Sequence, residues 1–194
     1  MFIDYITLML INMVAGLVLL ADFVYRGLGE VNLKRWIPGF GLVGAIALVT
    51  GLHMTLTWPV PGSFNISFGE TTVLFGGLYV AAAIAIAQGW DLLSLAVYAF
   101  FAGLTAIVVG ARIISLEQTK QPLMAGLGFI LTGLGGVLAA PTLVSLGTNK
   151  SWRTLGAAVL LGAALVWAVV GFLAYWGHLE SFSEWQPPAM RNQP

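Results

Sequence analysis

Six stretches of predominantly apolar residues constrain the fold of this chain more than any other feature. A helix rises 1.5 Å per residue, so about 20 residues are needed to cross roughly 30 Å of hydrocarbon. Only 8% of the residues are charged, against about 25% in a typical soluble domain. The sequence therefore predicts an all-α integral membrane protein, a compact bundle of six transmembrane helices. The predicted spans are residues 3–25, 37–57, 71–89, 92–115, 123–146 and 154–177.

The two ends of the chain differ in character. Residues 1–178 form the predicted six-helix transmembrane domain, and residues 179–194 form a polar C-terminal tail. Met1-Phe2-Ile3-Asp4 has neither a basic region nor a small-residue cleavage site, so we expect it to begin the first helix and not a removed signal peptide. An even number of spans places both termini on one side of the membrane.

The basic residues indicate an orientation. Cytoplasmic loops of membrane proteins carry an excess of Lys and Arg. If the N-terminus lies outside, the inner connections carry most of the basic residues, and this excess favours termini on the outer side. These inner residues are Arg26, Lys34, Arg35, Lys150 and Arg153.

Composition also narrows the function. The formal net charge is zero, which argues against a nucleic-acid partner. The chain has no cysteine, which excludes thiolate catalysis, cysteine-ligated iron–sulfur clusters and disulfides. We find no phosphate-binding glycine loop, no HExxH zinc motif and no paired catalytic side chains within one helix pair. A membrane enzyme would need such a constellation, so non-catalytic roles are favoured and no metal site is predicted.

The segment between the second and third spans contains specific turn-forming residues. Pro59 and Pro61 disfavour helix in the residues that precede them, and Pro61-Gly62 is a strong turn signal. Trp58 suits the headgroup level of a membrane, where amphipathic aromatic rings gather. We expect this segment to pack against the ends of neighbouring helices, because lipid offers its backbone no hydrogen-bond partners.

Two overlapping patterns follow this turn. Ser67 and Glu70 have the spacing of a capping box, which predicts that the third helix begins near residue 71. Asn65-Ile66-Ser67 is an N-glycosylation sequon. Because three residues match by accident often and this loop is expected to be tucked in, we expect the sequon to be unused.

The same segment resembles a known family. Trp58-Pro59-Val60-Pro61-Gly62, then Asn65-Ile66 and Phe68-Gly69-Glu70, follow a glycine-rich apolar helix. In these motifs the chain is similar to the bacterial and archaeal membrane proteins catalogued as domain of unknown function 981. The resemblance covers most of the chain and implies a small polytopic protein of a prokaryotic cytoplasmic membrane. That family has no assigned activity, so the resemblance implies no catalytic residue.

The last spans are rich in small residues, and the chain shows signs of a repeat. Glycine and alanine let membrane helices approach closely, so we expect a tight bundle with little room for a wide channel. Pro141 should kink or shorten the fifth span. An offset of 87 residues aligns Ala15-Gly16-Leu17 with Ala102-Gly103-Leu104. This offset indicates two inverted three-helix repeats, although helices rich in Ala, Gly and Leu also align by chance.

A few polar residues are candidates for a site. His53, Glu70 and Arg112 fall at the same end of the predicted bundle. Arg112 could pair with Glu70 or bind an anion, or it could extend to the membrane surface or pair with Glu117. Glu70 is more simply explained as a helix cap.

Other polar residues have local or cofactor explanations. His53 and His178 could clamp one haem, although a histidine at a helix end is also ordinary. Haem is the only cofactor that the sequence suggests. Asp22 and Arg26 should form an ion pair on one helix face, and Asn12 should bond to a neighbouring helix.

Three functional hypotheses remain open. The first is a non-catalytic membrane subunit or scaffold, which would contact other subunits or further copies of itself within the lipid bilayer. The second is a small transporter with a polar site near His53, Glu70 and Arg112. The third is a haem- or quinone-linked redox protein.

Overall fold

The computed structural model describes residues 4–186, and within that range it contains helices and connections but no strand. Six helical segments are long and apolar enough to cross a membrane, so the expected fold class is confirmed. Short 3-10 turns occupy Gly27–Gly29, Lys34–Trp36 and Leu146–Thr148. The α-helices are α1 (Tyr5–Tyr25), α2 (Ile37–Thr57), α3 (Thr71–Gln88), α4 (Leu93–Ser115), α5 (Pro122–Val137), α6 (Ala139–Val144) and α7 (Lys150–Ser181).

The third membrane-length helix begins earlier than predicted. Asn65–Glu70 forms a π-helical segment that continues directly into α3. The predicted capping box is therefore wrong, because Ser67 and Glu70 already lie inside the helix. The Ser67 hydroxyl instead donates a hydrogen bond of 3.0 Å to Oε1 of Gln118. The turn between the second and third spans, which we name the re-entry loop, is only residues 58–64.

The fifth span is broken near its end, as the sequence predicts. Helix α5 ends at Val137, and α6 begins at Ala139. Pro141 lacks the N–H that would bond to the carbonyl of Val137, and a proline ring clashes with the carbonyl four residues earlier. The position of Pro141 therefore explains the break in the helix at Leu138.

The last helix is longer than predicted. Helix α7 has 32 residues and continues to Ser181, three residues into the segment assigned to the polar tail. Of that tail, residues 187–194 lie outside the described range. Helix α7 begins with Asn149 as its N-cap, whose side chain accepts a hydrogen bond of 2.8 Å from the Ser151 N–H.

The six spans follow one another around a ring, and α7 closes the ring against α1. Three pairs of helices pack closely along their length: α2 with α3, α4 with α5, and α1 with α7. The three seams between these pairs are looser. The bundle is therefore built from close pairs, and the space between the pairs is where an internal crevice can form.

Glycines spaced seven residues apart explain why α4 and α5 approach so closely. A seven-residue spacing keeps residues on one face of two packed helices. A Cβ added at Gly110 would lie 2.6 Å from the carbonyl oxygen of Gly126, and one at Gly126 would lie 2.7 Å from that of Gly110. Gly103 and Gly133 face each other in the same way. The expectation that small residues permit close helix contact is confirmed for this pair.

The two ends of the ring carry different polar groups. The basic end holds the connections 26–36, 89–92 and 145–149, with Arg26, Lys34, Arg35, Lys150 and Arg153. The terminal end holds the start of α1, the end of α7, the re-entry loop and the connection 116–121. Between the ends, Asn12 donates a hydrogen bond of 2.9 Å to the Val43 carbonyl of α2, which confirms its predicted role.

The predicted repeat matches the helix positions but not their packing. An offset of 87 residues carries Ile37–Thr57 onto residues 124–144, which α5 and α6 occupy. The same offset, however, relates the close pair α1–α7 to the loose pair α4–α3, and the close pair α4–α5 to the loose pair α1–α2. The inverted repeat therefore stays a prediction that the helix packing does not favour.

Candidate functional site

Asn65 organises the re-entry loop at the terminal end. Its side chain is fully buried. The amide nitrogen donates hydrogen bonds to the carbonyls of Val60 and Gly62, the latter at 3.1 Å, while Oδ1 accepts from the Val60 N–H at 3.3 Å. An amide that reaches three backbone groups of one loop acts as its internal support. A side chain buried in this way is not available for glycosylation, as expected for this sequon.

Two residues of the loop, Trp58 and Gly62, have left-handed backbone conformations. Trp58 ends α2 in the left-handed region, with a φ of 48°, and is half exposed. Gly62 has a φ of +65°, which glycine adopts at little cost. Pro59 and Pro61 lie between them. The turn therefore explains the glycine at position 62, whereas Trp58 holds a conformation that bulky residues rarely adopt.

A glutamine that the sequence reasoning missed joins this loop to the next connection. Oε1 of Gln118 accepts a hydrogen bond from the Ser67 hydroxyl, and Nε2 of Gln118 donates a hydrogen bond of 3.1 Å to the Ser63 hydroxyl. The bridge ties the re-entry loop and the start of the third span to the connection between α4 and α5. No local sequence pattern predicts it, because its partners are more than 50 positions away.

His178 lies in a polar cluster with two residues at the start of α1. Its Nδ1 lies 2.7 Å from Oδ2 of Asp4 and 3.1 Å from the Thr7 hydroxyl. The Thr7 hydroxyl also donates a hydrogen bond of 2.8 Å to Oδ1 of Asp4. This cluster joins the first helix to the last and places the ends of α1 and α7 side by side.

His53 lies near this cluster but contacts a different residue. Its ring meets the ring of Tyr5 edge to face, with centroids 5.5 Å apart, and the side chain is exposed. Because Tyr5 follows Asp4, the two histidines contact adjacent residues at one end of the bundle. Each histidine has its own protein contact, and haem ligation by the pair stays a prediction.

The structure does not bring together the other two predicted site residues. Arg112 is exposed and donates a hydrogen bond of 3.3 Å to the Ser115 hydroxyl in its own helix. Glu70 is exposed within the π-helical segment. Within residues 4–186, no ion pair joins them. A polar site formed by His53, Glu70 and Arg112 therefore has no contact among its members to support it.

At the basic end, Asp22 is the centre of a group of cations. Arg26 approaches it at 2.8 Å, which confirms the predicted ion pair, and Arg35 approaches it at 3.8 Å. The Trp36 indole donates to the same carboxylate at 3.1 Å. Arg35 also pairs with Glu30 at 2.9 Å. These contacts fix the connection between α1 and α2 across the end of the bundle.

An apolar crevice of about 330 Å³ lies inside the ring of helices. Its walls come from α1, α3, α4, α5, α6 and α7, with Phe40 of α2. Leu28, Leu92 and Leu146, from the three connections of the basic end, also line it, so the crevice extends to that end. The crevice is partly open to its surroundings and not sealed, and Trp152 and Leu155 of its wall are among the exposed apolar residues.

Three of the four hydroxyl side chains in the crevice wall, those of Thr71, Tyr79 and Thr132, are bonded to backbone carbonyls of the protein. Tyr79 donates a hydrogen bond of 2.6 Å to the Gly16 carbonyl, and Thr132 donates one of 2.8 Å to the Gly128 carbonyl. Thr71 bonds to the Ser67 carbonyl at 2.5 Å. With these groups satisfied, the interior offers hydrocarbon contacts and little hydrogen bonding. Such a space suits an apolar chain better than a polar solute.

The fold and this crevice define a class, an all-α protein of six membrane-length helices around an apolar internal space. A family model described as "Protein of unknown function (DUF981)" matches residues 1–181. The chain therefore belongs to that family, as its Trp58 to Glu70 motifs indicate. No curated protein and no solved structure matches the chain.

Proposed function

We propose that this protein is a non-catalytic, membrane-embedded binding protein that holds an apolar or amphiphilic molecule in the crevice between its helices. The crevice itself carries the proposal. Its volume of about 330 Å³ falls within the roughly 300–1,000 Å³ of small-molecule sites, and its bonded hydroxyls leave it apolar.

The energetics of an internal space support an occupant. A cavity in a core weakens the structure because the atoms that line it lose van der Waals contacts. A bilayer supplies apolar chains at high concentration around the bundle. Because the crevice is partly open to its surroundings, an acyl or similar chain can enter without the helices separating completely.

Filling the crevice tests this function. Ala102 lies in the crevice wall and is half-buried, whereas Ala111 lies on the exposed face of the same helix. Ala102→Leu should reduce the lipid that the purified protein retains in detergent, counted by native mass spectrometry. Overpacking by a leucine costs about 1–3 kcal/mol, or roughly fivefold or more in occupancy. Ala111→Leu, the matched control, should retain lipid as the unmodified protein does.

Equal lipid retention by Ala102→Leu, Ala111→Leu and the unmodified protein would refute the proposal. The comparison requires that each variant remains folded, which thermal unfolding in the same detergent measures. If the crevice binds nothing, the two leucine variants should retain the same amount of lipid once both are folded.

The role as a subunit or scaffold of a larger assembly remains a second proposal, supported by the small size of the chain and its polar C-terminal segment. Extraction from native membranes in mild detergent tests it. Other chains that copurify in a fixed ratio would support the subunit role, and a lone monomer or homodimer would oppose it.

The transporter hypothesis gains one supporting observation, the crevice that reaches the basic end of the ring. It predicts that crevice residues become accessible from both sides of the membrane in turn. Single cysteines introduced into this cysteine-free chain would report that accessibility. We also propose that the termini face outward, because the basic end carries most of the Lys and Arg residues; cysteine labelling at the two ends tests this orientation.

The redox hypothesis predicts a coloured protein. The hydrogen bond between Asp4 and His178 is of the kind that orients a metal-binding histidine. A reduced-minus-oxidised absorbance band that is lost in His53→Ala would support haem ligation. A colourless, folded preparation from haem-replete cells would oppose it.

A further inference from the structure

One cation of the basic end lies beside the mouth of the crevice. On α7, Trp152, Gly156 and Leu160 line the crevice. Arg153 precedes Gly156 by three positions and Leu160 by seven, so it shares their side of the helix. Its guanidinium lies against the connection after α1, where a Cβ added at Gly29 would be 2.7 Å from Nη1.

Arg153 differs from its arginine neighbours because it lacks a counter-charge. Arg26 and Arg35 are held by Asp22 and Glu30. Within residues 4–186, Arg153 forms no ion pair, and its Nε is buried without a hydrogen-bond partner. A buried donor without a partner is unfavourable, and Arg is the side chain whose planar fork best matches a phosphate. Arg153 therefore carries a positive charge that no acidic residue among residues 4–186 neutralises.

We propose that Arg153 binds the phosphate of an anionic phospholipid whose acyl chain occupies the crevice. The proposal rests on the proposed function and adds to it the charge and class of the ligand. A phospholipid fits because Arg153 follows Trp152 of the crevice wall and its guanidinium lies against Gly29, next to the lining residue Leu28. One molecule can then supply a phosphate to Arg153 and a hydrocarbon chain to the crevice. Trp152 at the mouth suits the interface between headgroup and chain.

The surrounding charges favour an anionic over a zwitterionic headgroup. Lys150 lies one turn before Arg153 on α7, and within residues 4–186 it also forms no ion pair. A headgroup with a net negative charge therefore meets two cations that are not neutralised by the protein. A zwitterionic headgroup brings its own positive charge into the same place.

Competition between two lipids tests the inference. The purified protein is equilibrated in detergent with equal amounts of phosphatidylglycerol and phosphatidylcholine of identical acyl chains, and the retained lipids are counted by native mass spectrometry. The unmodified protein should prefer phosphatidylglycerol by about fivefold, the ratio that one cation near a membrane surface contributes. Arg153→Gln should lose most of the preference, with Lys150 as the only remaining cation of the two, and should still retain lipid.

A matched control and a second variant sharpen the result. Lys34→Gln removes the same charge from an exposed residue of the basic end that does not line the crevice, and it should keep the preference. Arg153→Lys keeps the positive charge but loses the planar guanidinium that can bond to two phosphate oxygens, and it should show a reduced preference for phosphatidylglycerol. If Arg153→Gln does not fold, an unchanged preference in Arg153→Lys overturns the proposal.

The outcomes separate this inference from the proposed function. If Arg153→Gln prefers phosphatidylglycerol as strongly as the unmodified protein while Ala102→Leu loses lipid, the headgroup site is wrong and the crevice function stands. If Ala102→Leu loses no lipid, the crevice function itself fails. Inorganic phosphate in large excess should not displace the lipid; complete displacement would identify a site for a soluble anion and overturn the proposal.

Discussion

Replacing Asn65 by Asp should destabilise the protein, although the two side chains have nearly the same shape. The buried Asn65 amide donates to the carbonyls of Val60 and Gly62. An ionised Asp has no donor and would place a carboxylate oxygen against those carbonyls. A protonated Asp can donate to only one of them.

The expected loss follows from these contacts. Each lost hydrogen bond is worth about 0.5–1.5 kcal/mol, and an ionised carboxylate at the fully buried position of Asn65 adds the cost of removing a charge from water. We therefore expect the free energy of unfolding to fall by about 2–4 kcal/mol. At about 2–4 °C per kcal/mol for a chain of this size, the thermal midpoint should fall by about 4–16 °C.

The same substitution elsewhere provides the control. Asn149 is the N-cap of α7, and its side chain only accepts a hydrogen bond, from the Ser151 N–H. Asp serves equally well as an N-cap, and its charge favours a helix N-terminus. Asn149→Asp should therefore leave the midpoint unchanged or raise it slightly.

The assay is thermal unfolding in one detergent at one scan rate, because membrane proteins often unfold irreversibly and their midpoints then depend on rate. Lower pH favours the neutral acid and should recover part of the Asn65→Asp loss. A midpoint for Asn65→Asp equal to that of Asn149→Asp would refute the claim that the buried amide supports the re-entry loop.

Three further substitutions test the packing. Gly133→Val should separate α4 from α5 and lower the thermal midpoint, because the facing backbone leaves no room for a side chain. Gly162→Ala is the control: its added Cβ meets nothing within 4 Å, so the midpoint should not change. Pro141→Ala should join α5 to α6 through a new hydrogen bond to the Val137 carbonyl, and slower amide exchange at residues 138–142 would show it. His178→Ala should weaken the contact between α1 and α7 by about 1–2 kcal/mol. Relative to the unmodified protein, amide exchange should become faster in the last turns of α7 and stay unchanged in the middle of α2, which would confirm that the loss is local.

The fold could be predicted from the sequence because apolar length is a local property. Residues 37–57 carry no charge, and the helix formed there has those bounds. The effect of Pro141 was also predictable, because the missing N–H acts on the same helix. The start of the third helix was not predictable from Ser67 and Glu70, because Asn65 completes the loop earlier and leaves both residues inside the helix.

The candidate site was far less predictable. A crevice is the space that side chains from several helices leave unfilled, and no short pattern in one helix encodes it. Arg153 appeared in the sequence as one of the five basic residues of the predicted inner connections and served only to indicate orientation. Its distinction is the absence of a partner that Arg26 and Arg35 possess, and this depends on where Asp22 and Glu30 lie in space. Asp4, Thr7 and Gln118 were missed for the same reason.

The closure of the ring by α1 and α7 has a consequence for how the protein is made. Two of the close pairs, α2–α3 and α4–α5, are hairpins of consecutive spans and can form as soon as both helices have entered the bilayer. Helix α1 must wait for the last helix to be synthesised before it obtains its closest neighbour. Until then the face of α1 that packs against α7, including the polar Thr7, stays exposed to lipid or to the insertion machinery. A chain truncated before Lys150 should therefore be recognised as incomplete and degraded, even though five of its six spans have been inserted.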